Sequence, residues 1–127
     1  NFDMLEPGDG SMDLVTWILG PHELWFMPGG NSLGDADQTF TEIARVLKPG
    51  GRFLAVDHHA TADAGPEVGG TLHRIGEGII SEHAQAAGLR LIRSSNMHIN
   101  PEDTMTNGAT DPAIRGRTSK FVLLFEK

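Results

Sequence analysis

The chain has 127 residues, 39% of them hydrophobic and 21% charged, and this length and composition are those of one globular domain over residues 1–127. Its 17 acidic residues outnumber 10 basic ones for a net charge of −7, which disfavours binding to the phosphate backbone of a nucleic acid. It has no cysteine and no apolar run long enough to span a membrane, and its first residues show no basic-then-apolar signal-peptide pattern, so we expect a cytoplasmic protein without disulfides or thiolate chemistry.

The first half of the chain alternates strand and helix patterns. Residues 12–19 (MDLVTWIL) form a short, almost continuous apolar run, which is typical of a strand buried on both faces. Residues 35–47 place apolar side chains at i, i+3, i+4 and i+7, which predicts a helix that ends before Pro49. Residues 52–57 (RFLAVD) then predict a second buried strand.

The second half predicts one more helix and two strands. Helical spacing of apolar residues runs over 74–87, and strands are predicted over 89–96 and 120–127. The long polar connection between these two strands contains Glu102 and Asp103, which we expect to be solvated. The order is β-α-β-α-β-β, which indicates an α/β fold whose sheet is mostly parallel with an antiparallel last strand.

The handedness of the crossovers predicts a one-sided sheet. Right-handed crossovers that step the same way place both helices on one face, yet the strands are apolar on both faces. The strand from Met12 to Leu19 also lacks the lysine or proline that protects an edge. A large exposed apolar patch is unusual in a monomer. We therefore expect a homodimer or higher oligomer that pairs this edge strand or covers the bare face.

Several segments resemble one enzyme family. Residues 10–15 (GSMDLV) resemble the segment that opens the fourth strand of class I S-adenosylmethionine-dependent methyltransferases. Residues 44–53 (ARVLKPGGRF) resemble the turn before their fifth strand. Four further segments are similar to a bacterial group of predicted methyltransferases: 56–60 (VDHHA), 71–75 (TLHRI), 100–103 (NPED) and 115–123 (RGRTSKFVL).

The resemblance implies the C-terminal half of a Rossmann-like methyltransferase sheet, with strands four, five, seven and six of the family side by side. The family binds S-adenosylmethionine through a glycine-rich turn after its first strand and an acidic residue after its second, and residues 1–127 contain neither. The resemblance makes Asp3 and Met4 the remnant of the segment that touches adenine, with Asp3 facing the exocyclic amine. We therefore expect this chain to be a fragment that is inactive alone and binds no cofactor by itself.

Ligands of open α/β sheets sit outside the carboxyl ends of the strands. At these ends, the resemblance assigns Leu19 and Gly20 to the cofactor together with Asp3 and Met4. Methyl transfer to an oxygen or nitrogen of a small molecule needs a group that accepts the acceptor's proton. The candidate catalytic residues are His22, Asp57, His58, His59 and His73.

Three alternatives remain open. The chain could be a non-catalytic α/β module that works by association, because of its edge strand and bare face. The histidines at 58, 59 and 73, together with Asp57, could bind a metal in a His-dependent enzyme, but adjacent histidines in a strand point to opposite faces, so this alternative is the weakest and we predict no metal site. Ser32 lies in a G-x-S-x-G sequence, but Pro28 and two glycines break the strand that a nucleophile elbow requires.

Overall fold

Seven regular elements make up the fold in the computed structural model, which describes residues 1–127. They are β1 (Met12–Ile18), α1 (Ala36–Val46), β2 (Leu47–His58), α2 (Val68–Leu72), α3 (Glu77–Ala86), β3 (Arg90–Ser95) and β4 (Lys120–Glu126). Two 3₁₀ turns, Pro21–Trp25 and Pro28–Gly30, lie between β1 and α1. None of the helices has the length and apolar character needed to cross a membrane.

The strands form one sheet in the order β1-β2-β4-β3. β1 and β2 are parallel, and β4 runs antiparallel to both of its neighbours, β2 and β3. This arrangement confirms the predicted α/β class, the predicted strand order and the antiparallel last strand. It also places β1 at an edge of the sheet. Because β1 and β2 are adjacent and parallel, their carboxyl ends lie next to each other at one end of the sheet.

The helices α1 and α3 contact each other and pack on the same face of the sheet. Asp35 caps α1 by accepting a hydrogen bond from the Gln38 N–H at 2.8 Å, which satisfies an orphan donor of the first turn. Phe40 and Ile43 of α1 then reach the core, where Phe40 meets Phe53 of β2 with ring centroids 5.9 Å apart. The core therefore lies between one helical layer and one face of the sheet.

No helix packs on the opposite face of the sheet, as the crossover handedness predicted. Leu14 and Ile18 of β1 are 53% and 59% exposed on that face. Register pairs Ile18 with Val56 of β2, and Val56 with Val122 of β4, so the apolar surface continues across three strands. We call this surface the bare face.

The prediction of a helix over residues 74–87 is wrong at its start. The chain instead forms the short helix α2, turns at His73 with a φ of 51°, and begins α3 only at Glu77. Between the helices, the Ile75 N–H donates to the His58 carbonyl at 2.9 Å, and the Ala60 N–H donates to the Ile75 carbonyl at 3.1 Å. These backbone hydrogen bonds to the end of β2 take the place of the helical hydrogen bonds that the apolar spacing of residues 74–87 favours.

Arg74, immediately before Ile75, is fully buried and forms a bidentate ion pair with Asp103, with both N–O distances 2.9 Å. The Arg74 guanidinium also donates to the carbonyls of His59 and Asn107. Asp103 is 6% exposed, so the prediction that it is solvated is wrong. Burial opposes ionisation of Asp103, but hydrogen bonds from Arg74 and from two backbone N–H groups outweigh it and keep the pKa of Asp103 below its ordinary value.

The segment before β1 is held by a second ion pair. Arg45 of α1 binds Glu42 at 2.7 Å and donates to the carbonyls of Leu5 and Pro7. Glu42 in turn accepts the Leu5 N–H at 3.0 Å. The hydrogen bond from Arg45, followed by that from Leu5, lowers the pKa of Glu42 to about 2. These contacts fix the residues that precede β1 against α1.

Replacing Asp103 by alanine leaves the Arg74 guanidinium buried without its partner. We expect Asp103→Ala to lower the free energy of unfolding by about 3–5 kcal/mol, because an uncompensated charge remains inside the protein. Urea denaturation followed by circular dichroism measures this loss. The matched control Glu102→Ala removes a neighbouring exposed carboxylate and should change the free energy by less than about 0.5 kcal/mol. Equal effects of the two variants would contradict a structural role for the pair.

Candidate functional site

The candidate site lies where β1 and β2 end side by side. After β1, Leu19 adopts a φ of 55°, and the 3₁₀ turn Pro21–Trp25 folds His22 back toward the sheet. Asp57 occupies the penultimate position of β2. Because the two strands are parallel and adjacent, these residues meet at the same edge, as expected for the carboxyl ends of an open sheet.

Asp57 organises this site with four hydrogen bonds, although its side chain is fully buried. Its carboxylate contacts Nδ1 of His22 at 2.8 and 3.0 Å. It also accepts the backbone N–H of His22 at 2.7 Å and that of His58 at 2.8 Å. A buried carboxylate requires such partners, and here they hold both the backbone and the ring of His22.

The contact with Asp57 orients the ring of His22. An ionised carboxylate only accepts, so Nδ1 of His22 is the donor in this contact, and a ring protonated on Nδ1 alone keeps a lone pair on Nε2. His22 is only 4% exposed, and Nε2 makes no hydrogen bond to the protein. The arrangement is that of a general base oriented by a carboxylate.

Two further histidines surround His22. The ring of His58 lies 5.9 Å from that of His22, and its Nδ1 is 2.7 Å from the Thr118 hydroxyl. The ring of His73 meets His22 edge-on at 5.3 Å and also packs on Phe26 at 4.8 Å. Burial lowers the pKa of His58 to about 4, against the opposing charge of Asp57. His58 is therefore neutral at physiological pH.

The structure does not bring His59 into this group. Its ring packs edge-on against Phe121 at 5.7 Å, on the helical side of the sheet, whereas His58 contacts Thr118. Adjacent residues of an extended segment point to opposite faces, so the pair His58–His59 is divided between them. No cluster of three or more histidine or carboxylate side chains has the geometry to hold a metal ion.

The residues assigned to the cofactor are spread over two places. The carboxylate of Asp3 accepts the N–H of Asp35 at 3.0 Å, at the start of α1, and Met4 is exposed. Leu19 is exposed after β1, and Gly20 is buried so tightly that a Cβ would overlap the indole of Trp17.

None of these four residues lines a cavity. An apolar cavity of about 220 Å³ is lined instead by residues near them in the chain, which include Phe2, Leu5 and Trp17. The residues present therefore do not by themselves enclose a group as large as S-adenosylmethionine.

Comparisons with known proteins identify the fold. A scan of protein-family models and a search of curated proteins gave no match. Among solved structures, a SAM-dependent methyltransferase from Aquifex aeolicus aligns with a TM-score of 0.61 and 15% identity, over 99% of this chain and 51% of that one. One from Methanosarcina mazei aligns with a TM-score of 0.64 and 12% identity, over 100% of this chain and 64% of that one.

The cyclase SpnF aligns equally well, with a TM-score of 0.64 and 18% identity, over 100% of this chain and 53% of that one. The chain thus has the class I methyltransferase fold and spans about half to two thirds of the length of these structures. At these identities the likeness concerns the fold, and the reaction has to be argued from the site.

Sequence reasoning missed Thr118 and Arg74. The Thr118 hydroxyl is hydrogen-bonded to Nδ1 of His58, and the Arg74 guanidinium donates to the His59 carbonyl. A threonine in a polar loop and an arginine in a helical pattern carry no local signal for such roles. The only signal available is that both lie in segments, 71–75 and 115–123, that resemble the methyltransferase group.

The low pKa of His58 predicts a pH-dependent stability. The folded protein protonates His58 only near pH 4, whereas the unfolded chain does so at its ordinary value of 6.5. The unfolded state therefore binds more protons between these values, and the free energy of unfolding should fall as pH decreases from 6.5 toward 4.

Urea denaturation at pH 7 and pH 5 measures this fall. His58→Asn should reduce it, whereas the control His98→Asn, which replaces an exposed histidine, should retain the wild-type value. A wild-type fall in His58→Asn would show that His58 does not cause the dependence.

Proposed function

We propose that this chain is the acceptor-binding, C-terminal half of an S-adenosylmethionine-dependent methyltransferase of the bacterial group that its segments resemble. The observation that carries the proposal is the buried His22–Asp57 pair at the carboxyl edge of a sheet with the methyltransferase fold. A related fold also serves the cyclase SpnF, so the fold alone does not select the reaction. A carboxylate-oriented imidazole with a free Nε2 favours a reaction that removes a proton.

In the proposed reaction, Nε2 of His22 takes a proton from an oxygen or nitrogen of a small-molecule acceptor. Asp57 keeps the ring in the correct tautomer and stabilises the imidazolium that forms. His58, neutral and bound to Thr118, and His73 line the site and hold His22 in place. S-adenosylmethionine would supply the methyl group, and the deprotonated acceptor must approach it at about 3–3.5 Å.

We propose that the methyl donor binds to a separate N-terminal half of the complete protein, which carries the glycine-rich turn. Three features support this: the chain spans 51% of the Aquifex aeolicus structure, its cofactor residues enclose no cavity, and both the edge of β1 and the bare face are open. We propose that the N-terminal half pairs with β1 and covers the bare face, and that this chain alone is inactive. A cytoplasmic location is part of the same proposal.

Calorimetric titration with S-adenosylhomocysteine tests the division of roles. We expect no saturable heat with residues 1–127, and one-to-one binding with a polypeptide that also includes the N-terminal half. Coding sequence for a glycine-rich strand-turn-helix upstream of Asn1 supports the fragment interpretation. Saturable binding to residues 1–127 alone would contradict it.

The role of His22 is tested in the complete protein once an acceptor is turned over. His22→Gln should lower kcat by about 10²- to 10⁴-fold, because the general base is lost, and should leave the affinity for S-adenosylhomocysteine unchanged. Asp57→Asn should lower kcat as well, because an amide can stabilise the wrong tautomer of His22. The control His83→Gln, on α3 outside the site, should keep kcat. An unchanged kcat in His22→Gln would overturn the assignment.

The exposed edge and bare face favour a second candidate function, a module that acts by association. For residues 1–127 by themselves, we propose a second copy of the same chain as the partner. Nothing else in this chain covers Leu14 and Ile18, which lie on an edge strand without lysine or proline.

Light scattering tests this proposal. We expect a dimer or larger species at micromolar concentration, and Ile18→Lys should shift it to the monomer because a charge then lies on the interface. Thr16→Lys, on the same face of β1, should have a similar effect, whereas the control Arg90→Lys on β3 should not. A monomeric mass for the unmodified chain would refute self-association.

A further inference from the structure

A shallow polar cavity of about 390 Å³, wide open to solvent, lies beside the candidate site and has no role in the chemistry described so far. It is formed by the loop after β3 and the residues that lead into β4. We propose that it binds an oxyanion, a carboxylate or a phosphate group, and that it anchors the methyl acceptor through this group. The second part of the inference rests on the proposed function; the first does not.

The lining of the cavity concentrates positive charge in an acidic protein. Arg117, Lys120 and His98 line it, with Glu102 as the one carboxylate. The chain as a whole carries −7, so its long-range field repels anions and only a local excess of cations can hold one. Arg115, Arg117 and Lys120 supply three of the ten basic residues within six positions.

The two cations keep donors free. Nη2 of Arg117 donates to the Ala113 carbonyl at 2.7 Å, and its Nη1 forms a long, solvent-exposed ion pair with Glu102 at 3.6 Å that is not a hydrogen bond. Nζ of Lys120 donates to the Thr118 carbonyl at 2.9 Å, and an ammonium group has further N–H donors. The guanidinium fork matches the two oxygens of a carboxylate or phosphate, which is why the geometry points to an oxyanion.

Two contacts link residues that line the cavity to His58 of the candidate site. Lys120 is the cross-strand partner of His58, so their Cβ atoms are about 4.5–5.5 Å apart. Thr118, which lines the cavity, binds Nδ1 of His58 at 2.7 Å. An anion in the cavity therefore sits one side chain away from the group of His58, His22 and Asp57. The acceptor class that fits is a small acid or phosphate ester whose nucleophilic atom reaches His22.

The test is an NMR titration of residues 1–127 with inorganic phosphate and, separately, with acetate, at constant ionic strength. We expect saturable shifts of the Gly116 and Thr118 amides. Arg117→Gln and Lys120→Gln should each weaken binding about five- to tenfold, because each loses a charge-assisted hydrogen bond. The control Arg115→Gln removes the same charge from an exposed side chain outside the cavity and should leave the affinity unchanged. Tighter binding of phosphate than of acetate would identify the bound group as a phosphate, and the reverse order would identify it as a carboxylate.

Two results would overturn the inference. One is the absence of saturable shifts with both anions; the other is an equal loss of affinity in Arg115→Gln, which would mean binding by overall charge. Arg117 is exposed, so Arg117→Gln should fold even if Lys120→Gln does not. Because no methyl donor is present, this titration is independent of the S-adenosylhomocysteine experiment. If residues 1–127 bind the anion but the complete protein does not bind S-adenosylhomocysteine, the oxyanion site stands and the proposed methyltransferase function is wrong.

Discussion

Arg74 and Asp103 form an ion pair wholly inside the protein, and the placement of the segments around the candidate site follows from it. The pair satisfies both carboxylate oxygens and joins the turn before α3 to the long loop between β3 and β4. Arg74 also holds the His59 carbonyl at 2.9 Å, just after β2 ends. A buried charge pair with every partner in place tolerates few alternative arrangements. Through the Ser119 N–H, which donates to Asp103 at 2.7 Å, the pair also holds the residue between Thr118 and Lys120, and both of these lie beside His58.

Asp57 plays the corresponding part at the centre of the site. Its burial would be costly without hydrogen-bond partners, and its partners are His22 and the backbone N–H of His58. By accepting both the backbone and ring N–H groups of His22, it leaves only Nε2 available to a substrate. Burial keeps His58 neutral at physiological pH, so His58 adds no positive charge beside His22.

The open surfaces of the molecule fit a protein that works with another folded unit. Its helices cover one face of the sheet, while the bare face and the edge of β1 are left to solvent. A sheet stabilised on one side only gains less from burial than one covered on both. The His22–Asp57 pair and the cation-lined cavity both lie within residues 1–127, at the end of the sheet where β1 and β2 finish and in the loops beside it.

The strands, α1 and the location of His22 and Asp57 were determined by the sequence itself, because periodicity, glycine–proline punctuation and the carboxyl-edge rule act locally. The tertiary structure decided the rest. It moved Arg74 out of a predicted helix, buried Asp103 and brought Thr118 to His58. The contacts responsible join residues 29 positions apart for Arg74–Asp103 and 60 apart for His58–Thr118. No local pattern encodes such pairs, since only the folded chain brings their charges and hydrogen-bonding groups together.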